Sequence, residues 1–193
     1  MTKILCSADW HILLHKKKVP YDWQVGRFKA MFRKLIALEQ RCDVHIIAGD
    51  IFDKKPEPDE ICLFLSYINS VTIPTYIIPG NHEATRKGES FFEYFTQENA
   101  IKNENVTVFT RNGRASVGQA HFCFFRTGKC KKIIYQSMWK VTYSLHIFVE
   151  KCHRMYRQNM TFPVSPLGAY VYLVTYTLII VMVTATVTIL VVH

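Results

Sequence analysis

Three short stretches carry side chains that could hold metal: Asp9-Trp10-His11, Gly49-Asp50-Ile51-Phe52-Asp53 and Gly80-Asn81-His82-Glu83. Carboxylate, imidazole and amide oxygen together suit a borderline or hard divalent cation such as Mn²⁺, Fe²⁺ or Zn²⁺. Asp9 and His11, two positions apart, can point to one side of a strand end and chelate one ion. Asp50 has two carboxylate oxygens and can bridge that ion to a second, to which Asn81 offers its carbonyl oxygen. The neighbouring glycines let the backbone turn sharply beside the ions. Each cluster alone has an ordinary explanation: a D-x-H is common, G-D-x-x-D reads as a turn, and Asn-His as a helix cap. Three in order, each directly after an apolar run, read as a metal site. His45 and His15 lack that setting and read as a strand residue and a surface residue.

The elements that must position these groups are legible as patterns. Lys3 to Ala8, Val44 to Ala48 and Thr75 to Pro79 are continuous apolar runs, the signature of strands covered on both faces in a parallel sheet. Between them, Trp23, Phe28, Met31, Phe32, Leu35, Ile36 and Leu38 recur near helical spacing, and Ile61 to Ile68 gives a second, shorter set. A third helix is expected over Glu89 to Gln97 and a further strand over Val106 to Phe109. Strand alternating with helix implies an α/β fold with right-handed crossovers. The polar clusters then follow the strand C-termini, where open α/β sheets place ligands.

The motifs D-x-H, G-D-x-x-D and G-N-H-E resemble the first three motifs of the calcineurin-like metallophosphoesterases. The stretches HIIAGDIFDKKPEPDE and IPTYIIPGNHE are most similar to the DNA double-strand-break repair nuclease branch, the SbcD-type exonucleases and phage recombination endonuclease subunits. The resemblance covers residues 1–113. It implies a four-layer αββα sandwich with two divalent ions, usually Mn²⁺, that hydrolyses phosphodiesters. By position it implies Asp9, His11 and Asp50 on the first ion, and Asp50 and Asn81 on the second. His82 would contact the scissile phosphate and help protonate the leaving oxygen, and Asp53 would orient a neighbouring ligand. It also implies DNA as substrate, an SMC-like ATPase subunit as partner, and a homodimer. Lys16, Lys17 and Lys18 follow the first motif and could meet DNA phosphates; a solvated loop is the plainer reading.

The family site also needs three later histidines, and His121, His146, His153 and His193 do not stand in the family's motifs. The fold is therefore expected to be truncated after its first half, at about residue 113, with an atypical tail over residues 114–193 and the second ion incompletely held. The charge supports a break there. Of the formal +9, residues 1–113 carry 15 Lys and Arg against 14 Asp and Glu, whereas residues 114–193 carry 9 against 1. Fifteen of the 23 residues from Tyr170 to Val192 are Val, Ile or Thr. Such lopsidedness suits an out-of-frame translation starting between about residues 114 and 126. Shifted by one base, Met138-Trp139-Lys140 forces Val-Glu and Met160-Thr161 forces Asp, which restores acidic residues. The same shift permits H-I-R-G-E over Ile147 onward and G-D-L-H over Val174 to Thr177, which resemble the missing motifs in the right order.

The expected activity is a metal-dependent phosphodiester hydrolase, a DNA exo- or endonuclease subunit of recombination or repair. The alternatives are a phosphatase or nucleotide phosphohydrolase of the same superfamily, an inactive fragment, or a tail-anchored membrane protein. For the last, the uncharged stretch from Tyr170 to Val192 is long enough to cross a bilayer, with Lys151, Arg154 and Arg157 beside it; fold and frame argue against it. No signal peptide opens the chain, and six cysteines without a C-x-x-C pair suit free thiols in a reducing cytoplasm. The chain as written is expected to bind at most one Mn²⁺ and cleave DNA negligibly. Its tail is expected to leave the strands' apolar faces uncovered and to aggregate.

Overall fold

The apolar runs form strands because each is framed by residues that cannot continue it. β1 (Thr2–Ser7) stops before Asp9, β2 (Val44–Ala48) before Gly49, and β3 (Thr75–Ile78) before Pro79-Gly80. These observations come from a computed structural model that describes residues 2–80, 82–83, 92, 100–111, 113–118, 120–125, 160–162, 169–174, 178–183 and 187–192. Between the strands lie α1 (Tyr21–Glu39) and α2 (Pro58–Ile68). Proline opens α2, and a capping box follows, in which Glu57 and Glu60 satisfy each other's backbone N–H groups.

α1 turns Phe28, Phe32 and Leu35 inward, four and three residues apart. Trp23 belongs to the apolar set by type but not by phase: it stands five residues before Phe28, off the buried stripe, and is 60% exposed. Gln24 takes the inward position instead.

β4 (Val106–Val108), β3, β2 and β1 form a parallel array, extended past β1 by β10 (Val187–Val192) and then by β7 (Met160–Phe162), antiparallel to β10. A second, antiparallel sheet runs β5 (Gly113–Val117), β6 (Ala120–Phe125), β9 (Leu178–Val183), β8 (Ala169–Val174). Alternation along the strands divides the core in two. Leu5, Ile47 and Ile77 face α1 and α2, joining Phe32, Leu35, Phe64 and Tyr67. Ile4, Cys6, Val44, Ile46, Tyr76 and Ile78 face the second sheet and pack with Phe122 and Phe124. Tyr76 sits 5.6–5.8 Å, ring centre to ring centre, from Phe109, Phe122 and Phe124. At about 1.5–3 kcal/mol for burying one such side chain, Phe122 and Phe124 make this face a substantial part of the core.

This corrects the expected bare faces. The tail supplies β7 to β10, and three of the four expected layers stand among the described residues: helices, mixed sheet and antiparallel sheet. The physical reason is the composition that made the tail look foreign. Val, Ile and Thr are stiff at χ1 and suit strands, whatever their origin. The same preference corrects the membrane alternative, because the stretch from Tyr170 to Val192 is divided among β8, β9 and β10. Among the described residues no helix is long and apolar enough to cross a membrane. The helix expected over Glu89 to Gln97 lies outside the described residues, apart from Phe92, which is buried against Phe52 and Phe64. Among the described residues Cys6, Cys42 and Cys62 are free thiols.

Candidate metal centre

Beyond β1 and β2 the two chains run on side by side. Asp9 and His11 donate their N–H groups to the carbonyls of Gly49 and Asp50, Ile12 donates to Ile51, and Ile12 and Phe52 form a parallel bridge. The apolar residues inside the motifs fasten this ribbon to the core. Trp10 packs 5.6–6.5 Å from Phe32, Phe64 and Tyr67, and Ile51 and Phe52 are wholly buried. With Trp10 turned inward, its neighbours Asp9 and His11 are left to face the other side. Asp9, His11 and Asp50 all have positive φ (54°, 47° and 50°), a left-handed conformation that costs ordinary residues about a kilocalorie per mole or more each. Sites bearing such strain are typically functional ones, where backbone is bent to aim a side chain.

Two groups of side chains converge here. Asp9, His11 and Asp50 each place a ligand atom within 4.8 Å of the others, and so do His11, Asp53 and His82. The three residues expected on the first ion are thus brought together; Asn81, expected on the second, lies outside the described residues. His11 Nδ1 is shielded from solvent, makes no hydrogen bond among the described residues, and lies 3.2 Å from an Asp53 oxygen. A shielded imidazole nitrogen left unbonded among carboxylates fits a cation site better than a finished hydrogen-bond network does. Two carboxylates and one imidazole form a donor set suited to a divalent ion.

His82 approaches edge-on, its ring 4.9 Å from that of His11. Its Nδ1 lies 2.6 Å from the Asp53 carbonyl oxygen, which can only accept, so Nδ1 carries a proton and Nε2 is left for another partner. That bond raises the His82 pKa; slight burial opposes it, and the charges of Asp50, Asp53 and Glu83 add to it. His82 also donates its backbone N–H to Asp50 Oδ1. Gly80 must be glycine: a Cβ there would strike the Asp50 carboxylate and backbone.

Sequence reasoning quoted Glu83 but gave it no role. It is wholly buried and accepts N–H groups from Asp50, Phe52 and Gly80 at 3.0, 2.9 and 2.6 Å. One side chain therefore ties the second motif to the third. Burial pushes its carboxyl pKa up, and the N–H donors partly oppose that. Glu60 was missed too: it accepts the Leu14 N–H at 2.8 Å and fixes the loop after His11 to α2. The spacing of Glu57 and Glu60 ahead of an apolar run was the available signal.

The calcineurin-like phosphoesterase family model matches residues 2–162. A probable exonuclease subunit 1 of Escherichia phage T5 is 36% identical over 117 residues, covering 58% of this chain and 36% of that protein. The chain therefore spans about a third of that relative's length.

Proposed function

Because the chain belongs to the calcineurin-like phosphoesterase family, a family of hydrolases that bind divalent metals, we propose that it is the metal-binding half of a phosphodiesterase acting on DNA, an exo- or endonuclease subunit. The observation that carries this reading is the convergence of Asp9, His11 and Asp50 within 4.8 Å, beside His82. Asp9, His11 and Asp50 would hold one ion, Mn²⁺ being our assignment, and Asn81 with Asp50 would serve a second. Bound there, divalent ions activate water and neutralise charge on a phosphate.

The chain's own residues do the rest. Asp53 fixes the His82 ring through its carbonyl and keeps the proton on Nδ1. With a second proton on Nε2, which the raised pKa favours, that atom can donate to a phosphate oxygen or pass its proton to a leaving oxygen. Glu83 holds the backbone of Asp50 and Gly80 in the bend that sets these groups against one another. The relative's name, an exonuclease subunit, supports a nucleic-acid substrate and a partner subunit, which we take to be an SMC-like ATPase in a cytoplasmic complex that includes a second copy of this chain.

The tail brings strands, and among the described residues no candidate ligand group includes a residue beyond His82. We therefore retain the shifted frame as part of the proposal. The one-base-restored protein is the full nuclease, and the 193-residue chain binds one ion and cleaves little. The test uses both proteins with Mn²⁺ and linear duplex DNA. The restored protein should degrade the duplex, and His82→Ala should remove most cleavage while leaving metal bound. Hydrolysis of small phosphomonoesters with DNA left intact would overturn the nuclease reading. Sequencing of the coding DNA that showed stop codons throughout the shifted frame would end the frame proposal.

A further inference from the structure

Among the described residues, Tyr21 and Trp23 are the large hydrophobic side chains left exposed, at 45% and 60%. Both stand in the first turn of α1, which Val19 and Pro20 separate from Lys16, Lys17 and Lys18, all exposed. That lysine loop is held against the helix by buried Gln24, which accepts the Lys16 N–H at 3.2 Å and donates to the Val19 carbonyl at 3.0 Å. The Ile12–Phe52 bridge sets the start of this loop beside Asp53, after which Lys54 and Lys55 are also exposed. Tyr21 is not free to swing. Its hydroxyl donates to Asp59 at 2.9 Å, and its ring lies 5.8 Å from that of His15, which bonds the same carboxylate. Arg27 lies 6.0 Å from the Trp23 ring centre. Asp22 and Glu57 are the exposed acidic residues of this surface, and the lysines outnumber them.

Aromatic faces interleaved with lysines, continuous with a candidate phosphodiester site, suit one kind of partner. Bases stack on rings and phosphates pair with ammonium groups, whereas paired bases keep their faces covered. We propose that the first turn of α1 and the Lys16–Lys18 loop form a surface for unpaired nucleotides. Trp23 stacks a base and the lysines hold the flanking phosphates. This deepens the nuclease reading and rests on it: the surface would hold the frayed or single-stranded end of a strand whose phosphodiester lies at the metal centre.

The test is a titration of the full chain in EDTA, which prevents cleavage, with oligothymidylate of about 15 nucleotides, near the upper site size of such surfaces, and with a blunt duplex. Tryptophan fluorescence and anisotropy are the readouts. Oligothymidylate should quench the fluorescence, and Trp23→Ala should weaken its binding about tenfold while leaving duplex binding unchanged. Replacing Lys16, Lys17 and Lys18 by Ala should flatten the slope of log affinity against log salt by about 2. Equal binding of the single strand by the wild type and Trp23→Ala would overturn the proposal. So would a Trp23→Ala change from dimer to monomer with nucleotide affinity unchanged, since the patch would then be a protein contact. Mn²⁺-dependent hydrolysis of bis(p-nitrophenyl) phosphate, measured in parallel on the restored protein, needs no such surface. Hydrolysis without oligonucleotide binding removes this surface and leaves the metal centre standing. Binding and quenching without hydrolysis does the reverse.

Discussion

Two histidine–carboxylate clusters lie on the same sheet, and their contrast shows what separates a candidate site from a structural tie. Below the strand ends, His45 Nε2 meets Ser7 Oγ at 2.8 Å and His45 Nδ1 meets Glu39 Oε1 at 2.8 Å, while the Tyr67 hydroxyl donates to the same glutamate oxygen. All four residues are almost entirely buried. By residue type this Ser-His-Glu array could pass for a hydrolase triad. It is closed to any substrate, and it joins β1 to β2 and both helices. At the strand ends, His11 and His82 stand partly open among Asp9, Asp50 and Asp53; Asp9, His11 and Asp50 lie on left-handed backbone, and His11 Nδ1 has no hydrogen bond among the described residues. The chemistry of the side chains is the same. Access, backbone strain and an imidazole nitrogen without a hydrogen bond among the described residues distinguish the candidate cluster from the structural one.

That contrast can be broken by substitutions that should separate activity from stability. The largest effect belongs to the open cluster. In the frame-restored protein Asp50→Ala should lower phosphodiester hydrolysis by about 10³-fold, roughly 4 kcal/mol at the transition state, with little loss in urea unfolding. A variant retaining a tenth of the rate would remove Asp50 from the centre. Glu83→Gln should affect both measures, because Glu83 binds the strand-end backbone from within the core. An amide can keep some of these acceptances but turns an NH₂ toward a donor. A stability loss of about 1.5–3 kcal/mol and roughly tenfold weaker Mn²⁺ binding are expected, by denaturation and calorimetry. Unchanged Mn²⁺ affinity would show that the three N–H bonds do not position the ligands.

In the closed cluster, Tyr67→Phe deletes one hydroxyl and should cost about 1–2 kcal/mol in unfolding, with Mn²⁺ affinity unchanged. A shift in affinity would show that the two clusters communicate. The smallest effect is one of pH. Burial lowers the His45 pKa below its usual 6.5, although its bond to Glu39 and that residue's charge oppose the shift. The unfolded chain therefore takes up a proton below about 6.5 that the folded chain resists. His45 favours the fold fully above that pH, and its contribution declines as pH falls toward the folded value. Urea midpoints at pH 7.5 and 5.5 should differ more for the wild type than for His45→Gln. Equal differences would mean that folding leaves the proton affinity of His45 unchanged.

The strand-end centre was legible because its residues come as motifs: each pairs an apolar run with polar groups at fixed offsets, and β1, β2 and β3 deliver them where the runs stop. The expected first-ion set of Asp9, His11 and Asp50 converges, whereas Asn81 falls outside the described residues. The support for the centre was less legible. Glu39, Glu60 and Glu83 are acidic residues at buried positions, and their partners are backbone N–H groups or residues distant in sequence, which no local pattern reveals. Trp23 misled because hydrophobicity was weighed without helical phase. The tail's covering of the sheet was not legible: its composition is unusual for a natural domain yet suited to strands, and β7 to β10 join both sheets without contributing a ligand among the described residues.

Our proposal is that Asp9, His11 and Asp50 form a cation site with the His11 imidazole as one ligand. Calorimetric titration of the 193-residue chain with Mn²⁺, beside His11→Ala, tests it most directly. The wild type should show a single weak site that disappears in His11→Ala, with the urea midpoints of the two proteins alike. Unchanged Mn²⁺ binding in His11→Ala, or two tight sites in the wild type, would contradict it.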